Sequence, residues 1–135
     1  MKKSVVSSDS APAAVGPYSQ AVRAGDLVFT SGQLGLIPGT KDFAGLDVES
    51  QTRQALRNLE GILKAAGSCL DHVLKCTVFL QDIGEFSRVN DIYAEFFVRS
   101  APARSAVEVA ALPLGACVEI EAIALLCDGT CECDE

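Results

Sequence analysis

Residues 117–126 limit the fold more than any other part of this chain. Val118, Ile120, Ala122, Ile123, Ala124 and Leu125 put apolar side chains on both faces of one extended segment, interrupted by Glu119 and Glu121. Side chains alternate across a strand, so a strand of this kind needs cover on both sides. Helices can supply that cover on one of them.

Two amphipathic helices are legible. Asp47 is placed to cap the first, with Glu49 in its first turn and Gly67 as its stop. Between them Val48, Ala55, Leu56, Leu59, Ile62, Leu63 and Ala66 recur at helical spacing, and Arg53, Arg57, Glu60 and Lys64 form the polar face. In the second helix Phe86, Val89, Ile92, Tyr93, Phe96 and Phe97 make one stripe. Strands are predicted at 18–24 and 27–36, around a Gly25-Asp26 hairpin turn, and at 73–80, 105–110 and 117–126. The order β-β-α-β-α-β-β predicts an α+β fold: a mixed six-stranded sheet with both helices on one face. The other face is expected to meet another subunit. At 135 residues the chain fits one domain. We place it at 10–126, after an N-terminal segment 1–9 and before an acidic, cysteine-containing tail at 127–135.

Charge and motifs remove several function classes. A net charge of −7 with 11 scattered Lys and Arg residues argues against a nucleic-acid partner. No apolar run approaches the roughly 20 residues that cross a bilayer. Lys2 and Lys3 are followed by no long hydrophobic region, a poor secretory signal, so the expected location is the cytoplasm, or the mitochondrion if the source is eukaryotic. Neither a Walker loop nor GxGxxG is present, so no nucleotide cofactor is expected. The single histidine, His72, sits beside Asp71 without a Gly-x-Ser-x-Gly elbow or a second histidine, and reads as a surface or turn residue. Cys69, Cys76 and Cys117 lie in or beside apolar segments, where free cysteine acts as a small hydrophobe. Cys127, Cys131 and Cys133 stand among carboxylates with no standard zinc spacing and no fourth ligand, so the tail reads as disordered rather than as a metal site.

The remaining chemistry must run on Arg, carboxylates, hydroxyls and backbone groups. Arg104 lies between a Pro102 turn and an apolar strand, and Glu119 lies inside another. Ionised groups at such places have a partner or a ligand. Two readings stay open: a small-anion site with acid–base chemistry beside it, or an Arg104–Glu119 structural ion pair. Gly32, in Ser31-Gly32-Gln33, either admits a ligand close to the backbone or marks a β-bulge. Tyr18 offers a hydroxyl to a cleft or caps the core edge, and Asn90 bonds locally or lines a pocket.

Together these segments resemble one family. Ala11-Pro12-Ala13-Ala14-Val15-Gly16-Pro17-Tyr18-Ser19-Gln20-Ala21, Ser31-Gly32-Gln33 and Gln54-Ala55-Leu56-Arg57-Asn58-Leu59 are similar to RidA/YjgF proteins. So are Val89-Asn90-Asp91-Ile92-Tyr93, Pro102-Ala103-Arg104-Ser105 and Val118-Glu119-Ile120-Glu121-Ala122-Ile123-Ala124. These are the reactive-intermediate deaminases that include the liver perchloric-acid-soluble proteins. The resemblance implies a chorismate-mutase-like homotrimer with clefts at the subunit interfaces and no cofactor or metal. It also implies hydrolysis of 2-imino acids to 2-oxo acids and ammonia. Arg104 would grip the substrate carboxylate and Glu119 would position water, with Tyr18, Ser31, Gly32 and Asn90 lining the site. Glu121 is set aside as facing the other side of the strand. Ala106 stands where many bacterial members have cysteine, and Ala101 where a bulky residue is common. An endoribonuclease or translation inhibitor, and a non-catalytic trimer that binds small carboxylates, are the alternatives.

Overall fold

The computed structural model of the protein describes residues 2–128. Helix α1 (Val48–Ala66) begins where the Asp47 carboxylate accepts from the Ser50 N–H at 2.9 Å, and ends at Gly67 in left-handed backbone, φ 88°. Both boundaries follow from side-chain chemistry: a carboxylate satisfies an orphan N–H, and glycine tolerates that φ without strain. Leu56, Leu59, Ile62 and Leu63 are wholly buried along its apolar stripe. Helix α2 (Phe86–Phe96) lies beside it, with an Arg53–Glu95 ion pair of 3.1 Å between the two.

The sheet contains β1 (Lys3–Val6), β2 (Ala21–Ala24), β3 (Leu27–Thr30), β4 (Gln33–Leu34), β5 (Val73–Leu80), β6 (Ala103–Glu108) and β7 (Val118–Leu125). Its order is β1-β2-β3-β7-β5-β6, with β4 also pairing β7. Among the described residues β5 and β6 form the parallel pair, and α2 lies in the connection that such a pair requires. The two-residue hairpin between β2 and β3 turns at Gly25, φ 58°.

The sheet has seven strands, where a six-stranded sheet was expected from five predicted segments: one strand is added and one predicted segment is divided in two. The additional strand β1 pairs antiparallel with β2 inside the predicted N-terminal segment. The predicted strand at 27–36 is also split, and the strand expected from Tyr18 begins only at Ala21. Phe29 pairs Ile123 and Gln33 pairs Ile120, so four steps on one strand oppose three on β7. One extra residue is accommodated at Ser31-Gly32, a β-bulge.

Alternation along β7 sorts the two faces. Val118, Ile120, Ala122 and Ala124 are buried under the helices, beside Val28, Cys76, Val78 and Leu80. Glu119, Glu121, Ile123 and Leu125 point the other way, beside Phe29, Thr77 and Phe79. On that second face Val5, Phe29, Val107 and Leu125 are exposed.

Candidate active site

Arg104 enters from β6, level with Cys76 on β5, and Cys76 is level with Ala122 on β7. Paired residues point to one side of a sheet, so Arg104 lies at the margin of the helix-covered face. Two aromatic rings of α2 hold it there. Its guanidinium carbon is 5.0 Å from the Phe86 ring centroid and 4.7 Å from that of Tyr93. Such contacts orient a cation while leaving its N–H fork available. Asn90 is half-buried on the same stripe, four residues after Phe86 and three before Tyr93. Beneath Arg104, burial raises the Cys76 thiol pKa and also raises that of the Tyr93 hydroxyl, so both stay protonated at neutral pH. Among the described residues Arg104 forms no ion pair.

Glu119 occupies the opposite face, where β4 and β5 flank it at Leu34 and Phe79. It lies against the Ser31-Gly32 bulge: a Cβ added to Gly32 would sit 2.5 Å from Glu119 Oε2. Glycine is required here by close approach, not by an unusual φ. Desolvation raises the Glu119 pKa above its ordinary 4.5, and the neighbouring Glu121 charge raises it further. Glu119 and Glu121 are two residues apart and share this face, which corrects the expectation that Glu121 faces away. Ser31 donates its hydroxyl to the Ser19 carbonyl at 2.6 Å, and its N–H to the Gln20 carbonyl at 2.9 Å. Those bonds tie the Tyr18 loop to the bulge. Tyr18 is exposed, and its hydroxyl accepts from the Val15 N–H at 3.3 Å. A concavity of about 490 Å³ includes Tyr18, Ser19 and Gln20 but neither Arg104 nor Glu119.

The expected site residues thus fall into two groups within one subunit. Arg104 and Asn90 belong to the α2 margin; Tyr18, Ser31, Gly32 and Glu119 belong to the open face. The Arg104–Glu119 ion pair does not form, because the two side chains lie on opposite faces of the sheet. Three buried amides that hold the second group in place were missed in the sequence. Asn58 Nδ2 donates to the Leu34 and Leu36 carbonyls at 3.1 and 2.9 Å. Gln51 donates to the Gly45 carbonyl and accepts from the Cys117 N–H at 2.8 Å. Gln20 accepts from the Ser8 N–H and donates to the Pro12 carbonyl, fastening the lead-in segment to β2. Gln51 and Asn58 were detectable as amides interrupting the apolar stripe of α1.

Cys69 also departs from expectation: it is disulfide-bonded rather than a free apolar thiol. Cys76 is buried, as expected. The predicted tail lies outside the described residues from position 129 onward.

The family described as Endoribonuclease L-PSP matches residues 8–126. The chain belongs to this family, the RidA/YjgF (L-PSP) proteins. Among its RidA relatives, Reactive Intermediate Deaminase A, chloroplastic, of Arabidopsis thaliana is 55% identical over 126 residues, which are 93% of this chain and 67% of the relative. The 2-iminobutanoate/2-iminopropanoate deaminase of Bos taurus is 50% identical over 123 residues, 91% of this chain and 90% of the relative. The crystal structure of E. coli TdcF with bound serine superposes with a TM-score of 0.88 at 40% identity, covering 92% of this chain and 99% of that one. As expected of the family fold, two helices cover one face of a mixed sheet. No described helix is long and apolar enough to cross a membrane.

Proposed function

We propose that this RidA-family chain is a 2-iminobutanoate/2-iminopropanoate deaminase, a hydrolase that converts reactive 2-imino acids from pyridoxal-phosphate enzymes to 2-oxo acids and ammonia. The observation that carries this reading is the separation of Arg104 from Glu119 on opposite faces of one sheet. A cation with an available fork and a carboxylate of raised pKa are complementary, yet one subunit keeps them apart. In a homotrimer, the exposed apolar face around Phe29 and Leu125 is covered by a neighbour, and Arg104 of one subunit meets Glu119 of the partner subunit. The deaminase names of close relatives and the serine bound to TdcF, an α-amino carboxylate, agree with a substrate of this size.

In that cleft Arg104 takes the substrate carboxylate with paired N–H···O bonds. Glu119 accepts a proton from water as the oxygen attacks the iminium carbon, forming a C–O bond while the C=N π electrons move to nitrogen. Glu119 returns the proton to the amine of the resulting carbinolamine. The C–N bond then breaks, ammonia leaves, and loss of the hydroxyl proton completes the 2-oxo acid. A carboxylate whose pKa is raised toward neutrality performs both transfers more readily than an ordinary one. Asn90, Tyr18, Ser31 and the Gly32 backbone orient water and the imine nitrogen.

The test is a coupled assay. A serine or threonine dehydratase generates the imine, semicarbazide traps what remains, and oxo-acid release is followed. Acceleration by the intact protein that is lost in Arg104→Ala supports the reading. Absence of acceleration by the intact protein overturns it in favour of a carboxylate-binding trimer. The family's endoribonuclease description motivates one control: RNA cleavage is expected to be absent for a chain of net charge −7.

A further inference from the structure

We propose that Cys69, His72 and Cys127 form a binding site for a soft divalent metal ion, zinc in particular, when the Cys69 disulfide is reduced. One ligand atom from each of the three residues lies within 4.8 Å of the other two. Chain geometry enforces the grouping. Cys69 precedes a one-turn 3₁₀ helix, Leu70–His72, in which the His72 N–H donates to the Cys69 carbonyl at 3.1 Å. That turn stacks side chains three residues apart. The Cys127 N–H donates to the Gly67 carbonyl at 2.8 Å, and the Ser68 hydroxyl donates to the Leu125 carbonyl. The two segments, almost sixty residues apart in sequence, are therefore fastened side by side on backbone groups.

A second observation points to a ligand. Among the described residues His72 Nδ1 is buried and has no hydrogen-bond partner. An imidazole nitrogen in that condition costs stability unless something occupies it. Thiolate and imidazole donors suit zinc, with Zn–S about 2.3 Å and Zn–N about 2.0–2.1 Å. Tetrahedral ligand atoms are then roughly 3.3–3.8 Å apart, so the observed group needs to contract by about 1 Å. Cys69 is buried while His72 and Cys127 are half-buried, which leaves the ion an approach from solvent.

Cys69 is disulfide-bonded in this structure, so metal binding requires a reductant. A dithiol supplies two electrons and two protons, leaving Cys69 and its disulfide partner as thiols and the dithiol oxidised. The metal then displaces the thiol protons.

The experiment uses the full chain, reduced with dithiothreitol, stripped by a chelator without air and titrated with Co²⁺. One Co²⁺ per chain is expected, with thiolate charge-transfer absorption and the intense visible bands of tetrahedral geometry, both abolished by added Zn²⁺. His72→Ala and Cys127→Ser are each expected to weaken binding at least about tenfold, with unchanged far-ultraviolet circular dichroism. Weak octahedral bands would overturn the proposal. So would equal uptake by the unreduced protein, or uptake indifferent to both His72→Ala and Cys127→Ser. The readout is independent of imine hydrolysis, so it stands whatever the coupled assay shows.

Discussion

The two halves of the candidate site support their charges by opposite means. At the α2 margin Arg104 is flanked by the rings of Phe86 and Tyr93, which attract the cation without consuming its donors. On the open face Glu119 is pressed against a glycine bulge, with Glu121 as a like-charged neighbour, and its ionised form is disfavoured. One half keeps a permanent charge available for binding; the other brings a carboxylate toward the range where it can exchange protons. Under the proposed mechanism neither performs imine hydrolysis alone. The proposed function gives anchoring to Arg104 and proton transfer to Glu119, and each substitution below tests that division.

The largest effect is expected at Arg104. Two charge-assisted hydrogen bonds of about 1.5–3 kcal/mol each are lost in Arg104→Ala, so kcat/KM falls about 10²–10⁴-fold, with KM raised and Tm little changed. Arg104→Lys does not restore it, because an ammonium lacks the planar fork. Steady-state kinetics beside a thermal melt separates binding from folding.

Glu119→Gln is expected to lower kcat by about 10²–10⁴-fold, with KM nearly unchanged. Stability moves the other way. The folded pKa of Glu119 lies above the ordinary 4.5, so its ionisation costs stability as pH rises through that folded value. Wild type and Glu119→Gln should have similar melting temperatures below pH 4.5, and the variant should be the more stable at neutral pH. Equal stability across that range would contradict the desolvated carboxylate.

Gly32→Ala places a methyl group 2.5 Å from Glu119 Oε2, so the Glu119 side chain must shift. We expect kcat to fall about 10–100-fold and stability to drop by about 1–3 kcal/mol, as overpacking does. A fully active, equally stable variant would show that the carboxylate can move away without consequence. The smallest effect is expected from Glu121→Gln, which removes the like charge. The acidic limb of the kcat/KM pH profile should shift to lower pH, with the plateau nearly unchanged.

Local signals were legible where one residue decides the outcome. The Asp47 cap, the left-handed Gly67 stop and the β-branched run of β5 gave α1 and β5 at their observed bounds. β1 was not legible, because Lys3, Ser4 and Val5 are exposed and only Val6 is buried. Edge pairing holds it, and that leaves no apolar pattern. The break between β3 and β4 was half legible: Gly32 suggested both a bulge and a close approach, and it is both. The division of the site was not legible, since it depends on registers across three strands. Glu121 was set aside by misapplying alternation, which puts residues two apart on one face. Cys127 had no neighbouring imidazole donor in sequence because Cys69 and His72 come near it only through the fold.

The central claim is that Arg104 of one subunit works with Glu119 of the partner subunit, and subunit mixing tests it most directly. Arg104→Ala and Glu119→Gln proteins are each inactive alone; they are unfolded together in equal amounts, refolded and assayed. Shared clefts in randomly reassembled trimers leave about one site in four with both residues intact, so about a quarter of wild-type activity should return. A mixture as inactive as its parents, despite proven exchange of subunits, would place both residues in the service of a single chain and contradict the account.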